Sequence, residues 1–168
     1  MDHTSEQLFK IKTQWFSGHV DVEFPTKESL LGRELFLSRA SNPTCYQLKT
    51  LPSVNTEYQE GDVFKVDFHR LTIMFSLLQA QYWDNEKEQA LVLEFLSQII
   101  FSEPCDLYVG FLSGEPSAAA VVTKSGDSIL VSDIVTKSNK PEHFLAALVH
   151  HNALDIEKYA NIYIESYQ

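Results

Sequence analysis

Cysteine is scarce in this chain: Cys45 and Cys105 are the two among 168 residues. Neither has a CxxC partner or a metal-ligand spacing, so they read as two ordinary reduced thiols rather than a redox or zinc site. Positive charge is also short. Lys and Arg number 13 against 23 Asp and Glu, a formal net charge of −10 with a pI near 4.9. A nucleic-acid groove needs a basic face to neutralise phosphate, so no nucleic acid is expected as a partner. An acidic surface attracts cations such as amines, and it also keeps an ordinary protein in solution. Long apolar runs are missing: none approaches the roughly 20 residues of a spanning helix, so no membrane is expected as a partner. The opening Met-Asp-His-Thr-Ser-Glu lacks the basic and apolar regions of a signal peptide, and the expected location is cytoplasmic. No internal repeat or low-complexity tract is visible.

What remains is a composition of 44% hydrophobic and 12% aromatic residues, enough to pack the core of one domain. The first segment, Thr4 to Phe16, reads as a helix, with Thr4 and Gln7 at capping-box spacing and an apolar stripe of Leu8, Ile11 and Trp15. Val20-Asp21-Val22-Glu23-Phe24 alternates cleanly and predicts a strand stopped by Pro25. Thr26 to Leu37 is ambiguous: Leu30, Leu31 and Glu34 suit a helix, while Gly32 and the run Leu35-Phe36-Leu37 weaken it. Cys45 to Leu51 reads as a strand and Pro52 to Gly61 as a polar loop. Asp67 is the expected cap of a helix to about Trp83, with a stripe of Leu71, Met74, Phe75, Leu78 and Tyr82. Asn85 and Glu88 form the next capping box, opening a helix to about Phe101. That helix is apolar over more than half its circumference, which predicts cover on two sides.

The centre of the chain is a run of three strands, Leu107–Leu112, Ala118–Thr123 and Ile129–Val135, joined by turns rich in Gly, Pro, Ser and Asp. Pro141 to Tyr159 follows as a helix whose Leu145, Leu148, Val149, Asn152, Ile156 and Tyr159 share one face at about 100° per residue. Asn161 to Tyr167 reads as a final strand. A strand–helix–strand order predicts that it pairs parallel to its predecessor through a right-handed crossover. The fold class is α/β (or α+β), a mixed central sheet flanked by helices. It forms one domain over residues 1–168, with an N-terminal extension 1–44 and a core 45–168.

Taken together, the order helix, helix, three strands, helix, strand between Asp67 and Tyr167 resembles the GNAT N-acetyltransferase superfamily. The local text adds to the likeness. Tyr108-Val109-Gly110-Phe111-Leu112-Ser113-Gly114-Glu115-Pro116 looks like that family's second strand and turn, Ala118–Thr123 like its third strand, and Ile129–Val135 like its fourth. The fourth leads into a helix carrying Leu145-Ala146-Ala147-Leu148, and the strand at Cys45–Leu51 would be the first. The resemblance implies a GNAT-like acyl-CoA N-acyltransferase fold and acetyl transfer from acetyl-CoA to a small amine or a protein amine. It also implies that the backbone of Ile134 and Val135 holds pantetheine, with Lys137, Asn139 and Lys140 nearest the pyrophosphate.

Two departures stand beside it. The family's phosphate loop uses glycines that let backbone N–H groups approach the charge. Here the stretch is Lys137-Ser138-Asn139-Lys140-Pro141-Glu142-His143, without glycine, with one N–H removed by Pro141 and a negative charge at Glu142. The family also continues beyond its fifth strand, where this sequence ends. Either the N-terminal segment, with its strand at 20–24, completes the sheet, or the chain belongs to a longer or oligomeric arrangement.

Asp133 is the candidate catalytic residue. It alternates with Ile129, Val131 and Val135, which places it on an apolar face, where desolvation raises a carboxyl pKa toward that of a general base. The competing reading has it capping a loop or pairing with a lysine. Ser132, on the opposite face, has no base at a recognisable spacing. His143 and His150 share one side of the last helix but stand about 10 Å apart along it, too far for one metal ion, and no metal site is expected. Asn152, within the apolar stripe, is expected to bond strand backbone or to face a pocket. Two functions follow. One is an acetyltransferase with Asp133 as base. The other is a non-catalytic domain for ligand sensing or protein association, with a second copy or another domain as partner. The absent glycines favour the second.

Overall fold

The computed structural model describes residues 1–53 and 56–166. Among them are five α-helices and one six-stranded sheet in an α+β arrangement. In chain order these are α1 (His3–Gly18), α2 (Lys27–Ser38), β1 (Thr44–Gln47), β2 (Val63–Lys65), α3 (His69–Ala80), α4 (Glu86–Leu96), β3 (Cys105–Leu112), β4 (Glu115–Ser125), β5 (Ser128–Thr136), α5 (Pro141–Val149) and β6 (Asn161–Ser166). The sheet runs β1-β6-β5-β4-β3-β2. All its pairs are antiparallel except β5 with β6, the parallel pair that the strand–helix–strand order predicts. Among the described residues no helix is long and apolar enough to cross a membrane.

Alternation in the strands divides the core between the two faces. Leu107, Val109, Ala119 and Val121 pack with the aromatic and aliphatic side chains of α1 to α4. Tyr108, Ala118, Ala120, Val122, Ile129 and Val131 pack with Phe144, Leu145, Leu148 and Val149 of α5. The α4 helix is covered by α2 on one side and α3 on another, as its wide apolar surface requires. The ambiguous segment is the helix α2, and Gly32 explains the mixed signal. A Cβ there would stand 1.9 Å from the carbonyl oxygen of Leu91, so the glycine permits the close α2–α4 approach.

Several expectations change. Residues 20–24 form no strand. Their alternation lacks a partner edge; Phe24 is 85% exposed and Asp21 pairs with Arg33 at 3.0 Å. The outer neighbour of β6 is instead β1, with Thr44 opposite Ser166 and Gln47 opposite Tyr163. This strand therefore stands at the β6 edge, and the neighbour of β3 is the short β2. The first helix is capped by Asp2, whose side chain accepts the Ser5 N–H at 2.8 Å, rather than by Thr4. Phe68, not Asp67, occupies the cap position of α3. Asn85 caps α4 as expected, accepting from the N–H groups of Lys87 and Glu88. That helix ends at Leu96, and Ile100 is 75% exposed.

The last helix is the largest correction. It ends at Val149 rather than near Tyr159. His151 turns the chain: its Nε2 lies 2.8 Å from the Val63 carbonyl oxygen, and its Nδ1 accepts the Ala153 N–H at 3.2 Å. Asn152 therefore leaves the apolar stripe and is exposed, on the wall of a cavity of about 620 Å³ that Tyr58, Val63 and Ala147 also line. The loop read at Pro52–Gly61 lies over α5 where it is described. There Thr56 Oγ1 donates to the His143 carbonyl at 2.7 Å and the Tyr58 ring packs on Phe144. Residue 167, expected in the final strand, falls outside the described residues.

Candidate functional site

The site is organised by a split between two parallel strands. Ser128–Val131 of β5 pairs with Asn161–Ile164 of β6. Past that point β5 stays with β4, while Glu165 and Ser166 of β6 pair with β1. A bulge falls on β5 at the same place. Val121 lies opposite Ser132 and Ala119 opposite Val135, so Ala120 faces both Asp133 and Ile134. Asp133 has φ +53°, a left-handed conformation that aspartate tolerates better than most residues. A bulge inserts one residue and reverses the side-chain alternation beyond it. Val135 accordingly packs with the α1–α4 core and Ile134 with the α5 core.

This overturns the expected surroundings of Asp133. It does not share a face with Ile129 and Val131; its carboxylate meets Lys12 of α1, whose Nζ donates to Oδ2 at 3.0 Å. Ser132, expected on the opposite face, donates its hydroxyl to the same Oδ2 at 2.7 Å. Lys12 also donates to Glu165 Oε1 at 3.4 Å. All three charged side chains are at most 5% exposed.

The backbone of the split is occupied as well. The Asp133 N–H donates to Glu165 Oε2 at 2.9 Å. The Asp133 carbonyl accepts from Gln79 Nε2 of α3 at 2.7 Å, and Arg39 Nη1 donates to Gln79 Oε1 at 2.9 Å. Two side chains thus stand where a neighbouring strand, or a ligand lying along β5, would make its hydrogen bonds.

The electrostatics follow from the packing. Burial pushes the Asp133 carboxyl upward, but Lys12, Arg39 and the Ser132 hydroxyl together outweigh it, so its pKa lies below the ordinary value. The expectation of a carboxyl raised by desolvation is reversed. Burial likewise opposes charge on Lys12, and Asp133 and Glu165 overcome it, raising its pKa. Lys12 and Asp133 are thereby held charged near neutral pH, and Asp133 Oδ2 accepts from both an ammonium and a hydroxyl. Burial pushes the Cys105 thiol, which lies beside Thr123, up to about 12 and leaves it unreactive.

The other expected site residues do not converge. Ile134 and Val135 point to opposite faces. Lys137, Asn139 and Lys140 have exposed side chains on the connection from β5 to α5. The Lys137 N–H is taken by the Ser117 carbonyl at 2.9 Å. Asn139 sits at φ +54°, and Lys140 precedes Pro141 in the cap position without a side-chain capping bond. Among the described residues no group of three or more His, Cys, Asp and Glu is placed to hold a metal ion.

Lys12, Glu165, Gln79 and Arg39 escaped the sequence reading. One signal existed: Lys12 stands four residues after Leu8 and four before Phe16, both fully buried. A lysine inside an apolar stripe requires an acidic partner. Comparison of the chain with family models and with curated proteins finds no match.

Proposed function

We propose that this chain is a non-catalytic domain of GNAT-like fold that serves ligand sensing or protein association, with no acyl-CoA chemistry of its own. The observation that carries the reading is the filled split. In an acyl-CoA enzyme of this type the diverging strand offers its backbone to pantetheine. Here the Asp133 N–H and carbonyl are bonded to Glu165 and Gln79, and Lys12 lies against the Asp133 carboxylate. Opening those bonds for a cofactor would expose an ion cluster whose separation costs several kcal/mol. The β5–α5 connection agrees, because it has no glycine and Pro141 removes one N–H donor at the helix start.

One observation favours the other reading, acetyl transfer to an amine with Asp133 as base. It is the divergence of β5 from β6 after Val131 and Ile164, at a bulge on the strand that resembles the family's fourth. Thermal unfolding with acetyl-CoA separates the two. The non-catalytic reading expects no change in Tm at millimolar cofactor. A ligand at 100 times its Kd stabilises by about 2.7 kcal/mol, so a rise of several degrees would overturn it.

A further inference from the structure

The sheet has two edges, and they are finished differently. At one of them β2 is three residues long, carries Lys65, and has its Val63 carbonyl covered by His151 Nε2 at 2.8 Å. A short strand, a lysine and a covering side chain keep an edge from pairing with another chain. At the other edge, β1 has neither a charge nor a cover. Its register with β6, continued by the Leu48 N–H to the Ile162 carbonyl, turns the Tyr46 backbone toward β6. The backbone groups of Cys45 and Gln47 therefore point outward. Among the described residues no hydrogen bond reaches those outward groups. Alternation places Tyr46 on the face of Leu48, which packs with the α5 core, and the Tyr46 side chain is 49% exposed. Residues 40–48 carry no formal charge, in a chain whose net charge is −10.

We infer that β1 pairs antiparallel with β1 of a second copy of this chain, about a two-fold axis beside Tyr46. The pairing joins two six-stranded sheets into one. The inference deepens the association half of the non-catalytic reading and rests on it. A second copy is the occupant because an antiparallel edge complements itself. Cys45 and Gln47 of each copy exchange N–H···O bonds with Gln47 and Cys45 of the other. Pro43 has no N–H to donate and the chain bends at Lys49, so the ladder is confined to these residues and its register is set. That register puts the two Tyr46 side chains directly opposite each other in a non-hydrogen-bonded pair. Charge agrees: two copies of an acidic chain meet along residues 40–48 without opposing like charges. The ladder is short, so the dimer is concentration-dependent rather than permanent.

Sedimentation velocity over a concentration series tests the pairing on the full chain. The unaltered protein shifts from monomer toward dimer as concentration rises. Tyr46→Lys replaces the aromatic pair with two opposed charges and weakens the dimer about tenfold. A crosslinking arm needs no repulsive substitution. In a Cys45→Ser background, Tyr46→Cys brings two thiols to a Cα separation of about 4.5 Å, within disulfide range. Oxidised glutathione then links the copies in high yield, whereas Phe64→Cys on the β2 edge of the same background links poorly. A chain that stays monomeric throughout the series, a dimer indifferent to Tyr46→Lys, or equal crosslinking at the two edges overturns the inference. Those outcomes leave the acetyl-CoA result on the unaltered protein untouched, so the two readings fail separately.

Discussion

The two halves of β5 solve the same problem by different means. Residues 128–131 lie between β4 and β6, with Ile129, Leu130 and Val131 fully buried and the backbone bonded to strands on both sides. Residues 132–136 keep β4 and lose β6. There the missing strand is replaced at Asp133 by the side chains of Glu165 and Gln79, and the burial is ionic rather than apolar. The difference teaches that an open strand edge inside a protein is not automatically a binding site. A buried backbone group needs a partner, and side chains from distant segments supply one as well as a ligand does.

The largest expected effect comes from removing the ion at the centre of the second half. Lys12→Met keeps the stem volume and takes away the ammonium to which both buried carboxylates are bonded. We expect a loss of about 3–5 kcal/mol in urea unfolding at pH 7. The pH dependence carries a sign. The Asp133 pKa is lowered by folding, so its contribution is complete above the ordinary carboxylate value and is lost as pH falls through the folded value. Protonating the carboxylates also relieves the variant. The gap between the two proteins should therefore narrow from pH 7 toward pH 3, and a constant gap would argue against the ion cluster.

A smaller, paired test sets the halves against each other. Gln79→Leu removes the donor to the Asp133 carbonyl and should cost about 1–3 kcal/mol. Ile129→Val trims one methylene from the strand-paired half and should cost about 0.5–1.5 kcal/mol. A negligible cost for Gln79→Leu would mean that the second half is held less firmly than its geometry implies.

The same division marks what was legible in the sequence. Short apolar runs between turn residues marked all three central strands, because each lies in a sheet buried on both faces. The N-cap at Asn85 is local, and its side chain accepts the first-turn N–H groups of Lys87 and Glu88. The alternation through Asp133 failed because a bulge has no composition of its own here: an aspartate, not a glycine, takes the positive φ. The pKa direction at Asp133 failed because Lys12 lies 121 positions away in the chain. Residues 20–24 had the pattern of a strand and no edge to join. The run beyond Val149 kept a helical apolar phase, yet the His151 bonds to Val63 and Ala153 ended the helix. For the Asp133 carboxyl and the last helix the deciding partners, Lys12 and Val63, are tertiary, and no window of sequence contains them.

Amide hydrogen exchange at Asp133, with and without millimolar acetyl-CoA, tests the filled split most directly. The account predicts that this N–H, held by Glu165, exchanges as slowly as that of Val131, through global unfolding, and that acetyl-CoA leaves it unchanged. Fast exchange by local opening in the free chain, slowed by acetyl-CoA, would contradict it.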